Sequence, residues 1–203
     1  MAFDATTMDV LKEIGNIGAG NAASALATML DDKINIGLPS CEMLPFCEIT
    51  RDFTSPDELV VGTLVQMSGD MEGFVLMVMR LDAAVELLER LTGERLCADV
   101  NDYPALCESL SPVAEVGNIL VGAYLSAIST MTGMRILPSV PVVSVDMVMA
   151  LMNVPAVVYG EIGETVLFME TDFHSEATTV KGQHFLIPTL ESSERLLAAL
   201  GMS

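Results

Sequence analysis

The sequence predicts an α+β fold in which two long helices pack on one shared β-sheet. The first observation is a repeated segment: residues 13–17 read Glu-Ile-Gly-Asn-Ile, and residues 115–119 read Glu-Val-Gly-Asn-Ile. The offset is 102 residues, about half of the 203-residue chain. The second observation is that strand-length apolar runs, bounded by turn residues, follow each copy. Together they predict an internal duplication with two halves related by a pseudo-twofold axis.

The match between the two copies continues without a gap beyond the repeated pentapeptide. Near residue 100 there is no Gly/Ser-rich or Pro-rich linker, and 96–102 is the only candidate seam. We therefore expect one domain, 1–203, built of two repeats of about 1–100 and 101–203. The further identical pairs are Gly20/Gly122, Ser24/Ser126, Ala25/Ala127, Met29/Met131, Ile34/Ile136 and Pro39/Pro141.

Composition narrows the class of protein. Half of the residues are apolar, at 51%, so the chain has material for a substantial core. The net charge is -19 with only nine basic residues, which argues against binding to nucleic acid or to anionic membranes. No signal peptide is visible, and the longest uncharged apolar run, 147–160, is too short to span a bilayer. We expect a soluble, cytoplasmic protein that does not insert into membranes.

Metal and cofactor sites are not predicted. The four cysteines form no Cys-x-x-Cys pair, and there are only two histidines. Such a set is poor for zinc, and small buried thiols are the simpler interpretation.

The first half is predicted to begin with a long helix at 6–30, capped by Thr6 or Thr7, with Asp9 in the first turn. Residues 51–58 are a polar loop. The other predicted elements are strands at 34–38, 42–49, 59–67 and 74–79 and a helix at 82–91 that Gly93 ends.

The second half is predicted to follow a similar plan. Its short helix at 146–152 is expected to kink or end at Pro155. The other predicted elements are a helix at 105–131 that Gly133 ends, strands at 135–140, 164–173 and 184–187, a loop at 174–182 and a final helix at 192–200.

Each long helix carries a polar stripe, because residues three and four apart share one helix face. The order along each stripe is a small polar or acidic residue, a carboxylate, a carboxamide and a glycine. The two stripes are Asp9, Glu13, Asn16 and Gly20, and Ser111, Glu115, Asn118 and Gly122.

The glycines within these helices have two open interpretations. Each glycine lowers the stability of a helix by about 1 kcal/mol relative to Ala, so we expect each to have a structural or functional role. Close packing and space for a partner are equally good readings for Gly15, Gly18 and Gly117. For Gly20 and Gly122, which lie on the polar stripes, close approach by a partner is favoured. A phosphate-binding loop is disfavoured, since no strand precedes the first copy and no Gly-Lys-Ser/Thr follows it.

The Glu-x-x-Asn pair suits a task that needs no nucleophile. A carboxamide both donates and accepts hydrogen bonds, so it can hold a water molecule in place. Phosphate-hydrolysing switch proteins use an amide for this purpose. The carboxylate can pair with a cation on a partner. A single Glu-x-x-Asn pair is usually part of a solvated helix surface. Because the pair occurs twice, a functional site is the favoured interpretation here.

The spacing of these residues resembles the CheC/CheX/FliY family of chemotaxis phosphatases. In each half the polar residue, Glu and Asn are followed by a proline 23 residues after the Asn, at Pro39 and Pro141. The resemblance covers nearly the whole chain. It includes the Met-Ser-Gly-Asp-Met-Glu-Gly turn at 67–73, the Pro-Val-Val-Ser-Val-Asp-Met segment at 141–147 and residues 185–201. Two motifs on a short chain are more similar to CheC proteins than to CheX or FliY.

The resemblance implies hydrolysis of the aspartyl phosphate of the response regulator CheY. Asn16 and Asn118 would then each orient a water in line with the phosphorus, and Glu13 and Glu115 would pair with the regulator's active-site lysine. Mg²⁺ would come with the regulator rather than with this chain.

The resemblance also leaves alternatives. Asp9 and Ser111 would have a supporting or capping role. A non-catalytic adaptor that binds phosphorylated CheY, the receptor deamidase CheD or both is the alternative function. Asp146 would face CheD, or simply cap a helix.

We expect a monomer, because internal pseudo-symmetry removes one reason to dimerise. The second stripe has Ser111 in place of the acid and bulkier flanking residues, so the two sites should differ.

Overall fold

The computed structural model describes most of the chain. Most of the candidate seam at 96–102 lies outside the described residues. The described residues are 5–30, 35–36, 40–45, 48–93, 96, 102–159, 165–174 and 179–201.

One eight-stranded antiparallel sheet contains strands from both halves, which confirms the predicted α+β fold and shared sheet. Its order is β1-β7-β8-β4-β3-β5, with β2 also paired to β7 and β6 also paired to β3. The strands are β1 (Asn35–Ile36), β2 (Ser40–Pro45), β3 (Leu59–Gly69), β4 (Gly73–Arg80), β5 (Ile136–Pro138), β6 (Val142–Met147), β7 (Thr165–His174) and β8 (Thr179–Pro188).

The sheet has the same plan on both sides of its central strand pair. The central pair is β4 with β8, one strand from each half. On one side β3 follows, carrying β5 and β6; on the other β7 follows, carrying β1 and β2. This is the arrangement that two copies of one chain plan would form, and an origin by duplication stays a prediction.

Helices cover both faces of this sheet. The inward side chains on one face, such as Val65 and Val75, form one core with α1 and α4. Those on the other face, such as Leu76 and Phe185, pack against α5 and Ile49. The helices are α1 (Ala5–Leu30), α2 (Leu81–Thr92), α3 (Tyr103–Ser109), α4 (Ser111–Thr132), α5 (Val148–Tyr159) and α6 (Leu190–Ala199).

The helix α4 is the one described helix long and apolar enough to cross a membrane. In its most apolar 18-residue window, 56% is buried inside the fold. Core helices of globular proteins have this same composition, so the observation is weak as a membrane signal.

The buried face of α1 consists largely of small residues. Leu11, Ile14 and Leu26 are buried as the apolar pattern predicts, with Gly18 and Ala22 between them. The apolar pattern of the predicted helix also includes Ile17, Ala25 and Met29, and it is wrong at these three positions. Ile17 and Met29 are 37% and 41% exposed, and Ala25 is exposed as well. The small residues allow α4 to approach α1 closely.

Two glycines are required by this close packing. A Cβ on Gly18 would lie 2.9 Å from Cε1 of Tyr124, and one on Gly117 would lie 2.9 Å from Cγ2 of Thr63. Such separations are well inside ordinary carbon–carbon contact distance. Gly18 thus lets α1 meet α4, and Gly117 lets α4 meet β3. Gly15 is buried as well.

The predicted single helix at 105–131 is wrong, because the chain forms α3 and α4 with a break at Leu110. Pro112 explains the break. It has no N–H to donate, and its ring clashes with the carbonyl four residues earlier in a continuous helix. Pro112 instead lies in the first turn of α4, where the missing donor is tolerated.

Other boundaries also differ from the predictions. Thr6 and Thr7 lie inside α1, so neither caps it, and Asp9 falls beyond the first turn. The predicted loop at 174–182 is wrong at both ends, since β7 runs to His174 and β8 starts at Thr179; residues 175–178 lie outside the described part.

The segment after β5 also departs from the prediction. Asp146 belongs to β6 rather than to a helix, because residues 142–147 pair with β3. α5 starts only at Val148 and continues through Pro155 to Tyr159. Packing explains the continuation: Leu151 and Met152 are buried against the sheet, and Pro155 is also buried.

A histidine lies buried beneath the helix pair. His184 on β8 is 0% exposed, and its ring centroid is 5.5 Å from that of Tyr124. Neither ring nitrogen has a hydrogen-bond partner among the described residues. Burial lowers the pKa of His184 from 6.5 to about 4, because the charged form would lose its hydration.

This histidine should make stability depend on pH. The unfolded chain takes up a proton near pH 6.5, whereas the folded chain does so only near pH 4. The stability contribution is therefore complete above pH 6.5 and is lost as the pH falls towards 4. Between pH 7 and pH 4, the wild type should lose about 3 kcal/mol more unfolding free energy than His184→Leu. Urea unfolding at several pH values measures this, and parallel curves for the two proteins would contradict it.

The two kinds of glycine on α1 predict opposite effects of alanine. Gly18→Ala should lower the unfolding free energy by about 1–3 kcal/mol, because Tyr124 is fixed in the core and cannot move aside. Gly20→Ala should raise it by up to about 1 kcal/mol, because a Cβ there meets nothing within 4 Å and alanine favours the helix. Denaturant unfolding of both variants is the measurement. Equal shifts of the same sign would show that the helix contact is not tight.

Candidate functional site

The first polar stripe lies on the exposed side of α1. Asp9, Glu13, Asn16 and Gly20 are all exposed. Their exposure follows from helical spacing, since Leu11, Ile14 and the small residues occupy the opposite, buried face. The carboxylate of Glu13 and the carboxamide of Asn16 thus project side by side into solvent.

Asp9 has a local partner that the sequence prediction did not include. Its carboxylate lies 3.8 Å from Nζ of Lys12, three residues along the helix. Both side chains are more than half exposed, at 78% and 53%, so the pair contributes little to stability. This pairing is compatible with a supporting role for Asp9 at the edge of the stripe.

The second stripe lies on α4 and is less exposed than the first. Ser111 is the first residue of the helix and is exposed, as is Glu115, whereas Asn118 and Gly122 are half-buried. The preceding residue, Leu110, offers no side-chain cap. α4 is covered more completely because it packs on β3, on α1 and on α3.

The stripe glycines face open space. A Cβ built on Gly20 or on Gly122 meets no atom of the described residues within 4 Å. Neither glycine is therefore required by packing within the chain, in contrast to Gly18 and Gly117. The absent side chains leave open space one helical turn beyond each Asn, where a partner surface can approach the helix backbone.

The structure places the two stripes on helices that touch each other, and each stripe has its own Glu and Asn. α1 and α4 meet where Gly18 packs against Tyr124. Within the described residues no group of three or more His, Cys, Asp or Glu side chains could hold a metal ion. The chemistry that each stripe can supply is a carboxylate to bind a cation and a carboxamide to orient a small polar molecule.

Asp146 lies on a different element from the stripes. It is half-buried in β6, and its Oδ1 accepts a hydrogen bond of 2.7 Å from the N–H of Met147. The helix that follows, α5, exposes Val157 and Val158, at 82% and 54%. A carboxylate and an apolar surface thus belong to consecutive elements of the chain.

Sequence reasoning missed a groove beside the second stripe. It has a volume of about 350 Å³, is open to solvent and runs between α4 and β5. The repeat signalled part of it, because Ser126 and Ile136 are identical to Ser24 and Ile34. The packing of β5 against α4 is a tertiary contact that no local pattern predicts. The lining residues are Gly122, Leu125, Ser126, Ser129, Thr130, Ile136 and Pro138.

Comparison with known proteins gives consistent matches. The model of the CheC-like family matches residues 7–42 and 108–145, the two segments that contain the stripes. A Bacillus subtilis (strain 168) protein named CheY-P phosphatase CheC is 35% identical over 198 residues, which cover 97% of this chain and 94% of the relative.

Solved structures share the fold. The Thermotoga maritima FliY crystal structure superposes with a TM-score of 0.76 at 20% identity, covering 99% of this chain and 98% of that one. A chain of a Borrelia burgdorferi CheX–CheY–BeF3–Mg complex superposes with a TM-score of 0.52 at 18% identity, covering 84% of this chain and 95% of that one. With a relative 35% identical over nearly its full length, this chain belongs to the CheC-like family.

Proposed function

We propose that this protein is a phosphatase that hydrolyses the aspartyl phosphate of a CheY-type response regulator in chemotaxis. The observation that carries the proposal is the pair of Glu-x-x-Asn stripes, exposed on α1 and partly exposed on α4, each with a glycine that faces open space, in a chain of this family. The relative named CheY-P phosphatase supports the substrate. The protein acts in the cytoplasm as a monomer.

Each Asn acts by positioning water rather than by forming a covalent bond. The carboxamide of Asn16 or Asn118 enters the regulator's phosphorylation pocket and holds a water molecule in line with the phosphorus. The water oxygen forms a bond to phosphorus as the bond from phosphorus to the aspartyl oxygen breaks. Inorganic phosphate leaves with both hydrogens of the water, as H2PO4⁻ in equilibrium with HPO4²⁻ and a solvent proton, and the aspartate carboxylate is restored. An acyl phosphate is already reactive, so orientation and electrostatics suffice.

Each Glu fixes the docking geometry. The exposed carboxylate of Glu13 or Glu115 pairs with the lysine of the regulator's active site, which aligns the Asn one helical turn away. Mg²⁺, supplied with the regulator, neutralises charge on the phosphoryl oxygens. Gly20 and Gly122 let the rim of the regulator's pocket reach the helix.

Replacing both carboxamides should remove the activity. In Asn16→Ala with Asn118→Ala, the acceleration of phosphate loss should fall by about 100-fold or more, because water is no longer oriented. Phosphate release from Mg²⁺-bound phosphorylated CheY measures it. Asn21→Ala is the matched control, since Asn21 is exposed on α1 but lies off the stripe. Undiminished release by the double variant would overturn the mechanism.

A second function, binding of the deamidase CheD, is favoured by one separate observation. α5 exposes Val157 and Val158 to solvent, and the charged Asp146 immediately precedes that helix on β6. Adjacent exposed apolar residues are characteristic of protein-binding surfaces, and Asp146 lies at the other end of α5. The same chain could then act as an adaptor as well as a phosphatase.

This second function predicts where CheD binding is sensitive. Asp146→Asn keeps an oxygen for the N–H of Met147 but removes the charge, and Val157→Glu places a charge on the apolar surface. Each should weaken CheD binding about 10-fold, equivalent to about 1.4 kcal/mol. Val140→Glu is the control, because Val140 is 83% exposed but precedes β6 at its far end. Calorimetric titration of CheD decides, and equal affinity of all three variants would exclude this surface.

A further inference from the structure

The groove between α4 and β5 continues the second polar stripe. Gly122 belongs to both, since it follows Asn118 by four residues and also lines the groove. Ser126 and Thr130 follow at further four-residue intervals and line it as well. Residues at this spacing lie on one side of a helix. The row of residues that begins with Asn118 therefore continues into the groove.

The groove is electrically neutral in a protein with a net charge of -19. None of the seven described residues that line it ionises. One wall is a helix surface with hydroxyl groups, of which Thr130 donates to the carbonyl of Ser126 at 2.8 Å and Ser129 to that of Met134 at 2.6 Å. The opposite wall, Ile136 and Pro138, is apolar. A neutral surface segment with both polar and apolar groups fits such a lining.

The shape of the groove favours a protein segment over a small molecule. Its volume of about 350 Å³ is at the low end for small-molecule pockets, about 300–1,000 Å³. It is also open along one side, whereas small-molecule pockets bury most of their ligand. A second copy of this chain is disfavoured, because two proteins that each carry a net charge of -19 repel one another.

We propose that this groove is a docking surface for the response regulator, used only when the regulator is engaged by the second site. The occupant is an uncharged surface segment next to the regulator's phosphorylation pocket. The proposal rests on the proposed function, since Glu115 and Asn118 bring the regulator to this end of α4. The groove supplies contact area at the site whose Asn118 is half-buried, whereas Asn16 is exposed.

The test first disables one of the two sites, so that binding at the other site is measured alone, and then changes the groove. Glu13→Arg with Asn16→Ala disables the first site, and Glu115→Arg with Asn118→Ala disables the second. Each protein is titrated with CheY activated by beryllofluoride and Mg²⁺, and phosphate release is followed in parallel. Ser126→Glu then places a charge in the groove.

Ser24→Glu is the matched control, because it adds the same charge at the corresponding position of α1. Ser24 is exposed, and its hydroxyl donates within the helix to the carbonyl of Gly20.

With only the second site intact, Ser126→Glu should raise the dissociation constant about 10-fold, whereas Ser24→Glu should change it less than about 2-fold. With only the first site intact, the Ser126→Glu effect should be absent. Equal weakening in both proteins, or in neither, overturns the groove proposal. Binding without accelerated hydrolysis overturns the phosphatase proposal alone. The groove proposal is still tested in that case, because it depends only on the dissociation constants measured with and without Ser126→Glu. Absence of any binding overturns both.

Discussion

The close contact between Gly18 and Tyr124 is the constraint on which the rest of the arrangement depends. It brings α1 against α4 while both lie on the same face of the sheet. Tyr124 is 1% exposed and has His184 directly beneath it, so the ring has no space to retreat. Because both helices are fixed against the core along this line, their opposite faces are exposed on α1 and partly exposed on α4. Those faces carry the Glu and Asn side chains.

The same contact accounts for the inequality of the two stripes. A symmetric pair of helices would carry the same residue types at corresponding positions of the crossing. The chain instead has a small residue, Ala22, at the position that corresponds to Tyr124, and Gly18 at the position that corresponds to Leu120. The second helix is therefore the more deeply packed, and Asn118 is half-buried. Differences between the sites thus arise from core packing as well as from their own residues.

Much of the architecture could be predicted from local pattern. The long first helix, the strands around the turn at 67–73 and the exposure of Glu13 and Asn16 follow from periodicity and turn chemistry. Errors occurred where a backbone constraint or a distant contact decides. Pro112 breaks a helix whose side-chain pattern is continuous, and pairing with β3 draws Asp146 into a strand. The groove could not be predicted either, because it is formed by a distant contact, between β5 and α4.

The central claim is that this chain turns over phosphorylated regulator rather than only binding it. The most direct measurement is phosphate release from an excess of Mg²⁺-bound phosphorylated CheY with a small amount of this protein. Because the side chains only orient water and form no covalent bond, each chain should release many phosphates, and the rate should rise in proportion to its concentration. Formation of a stable complex with an unchanged lifetime of the aspartyl phosphate would contradict the claim.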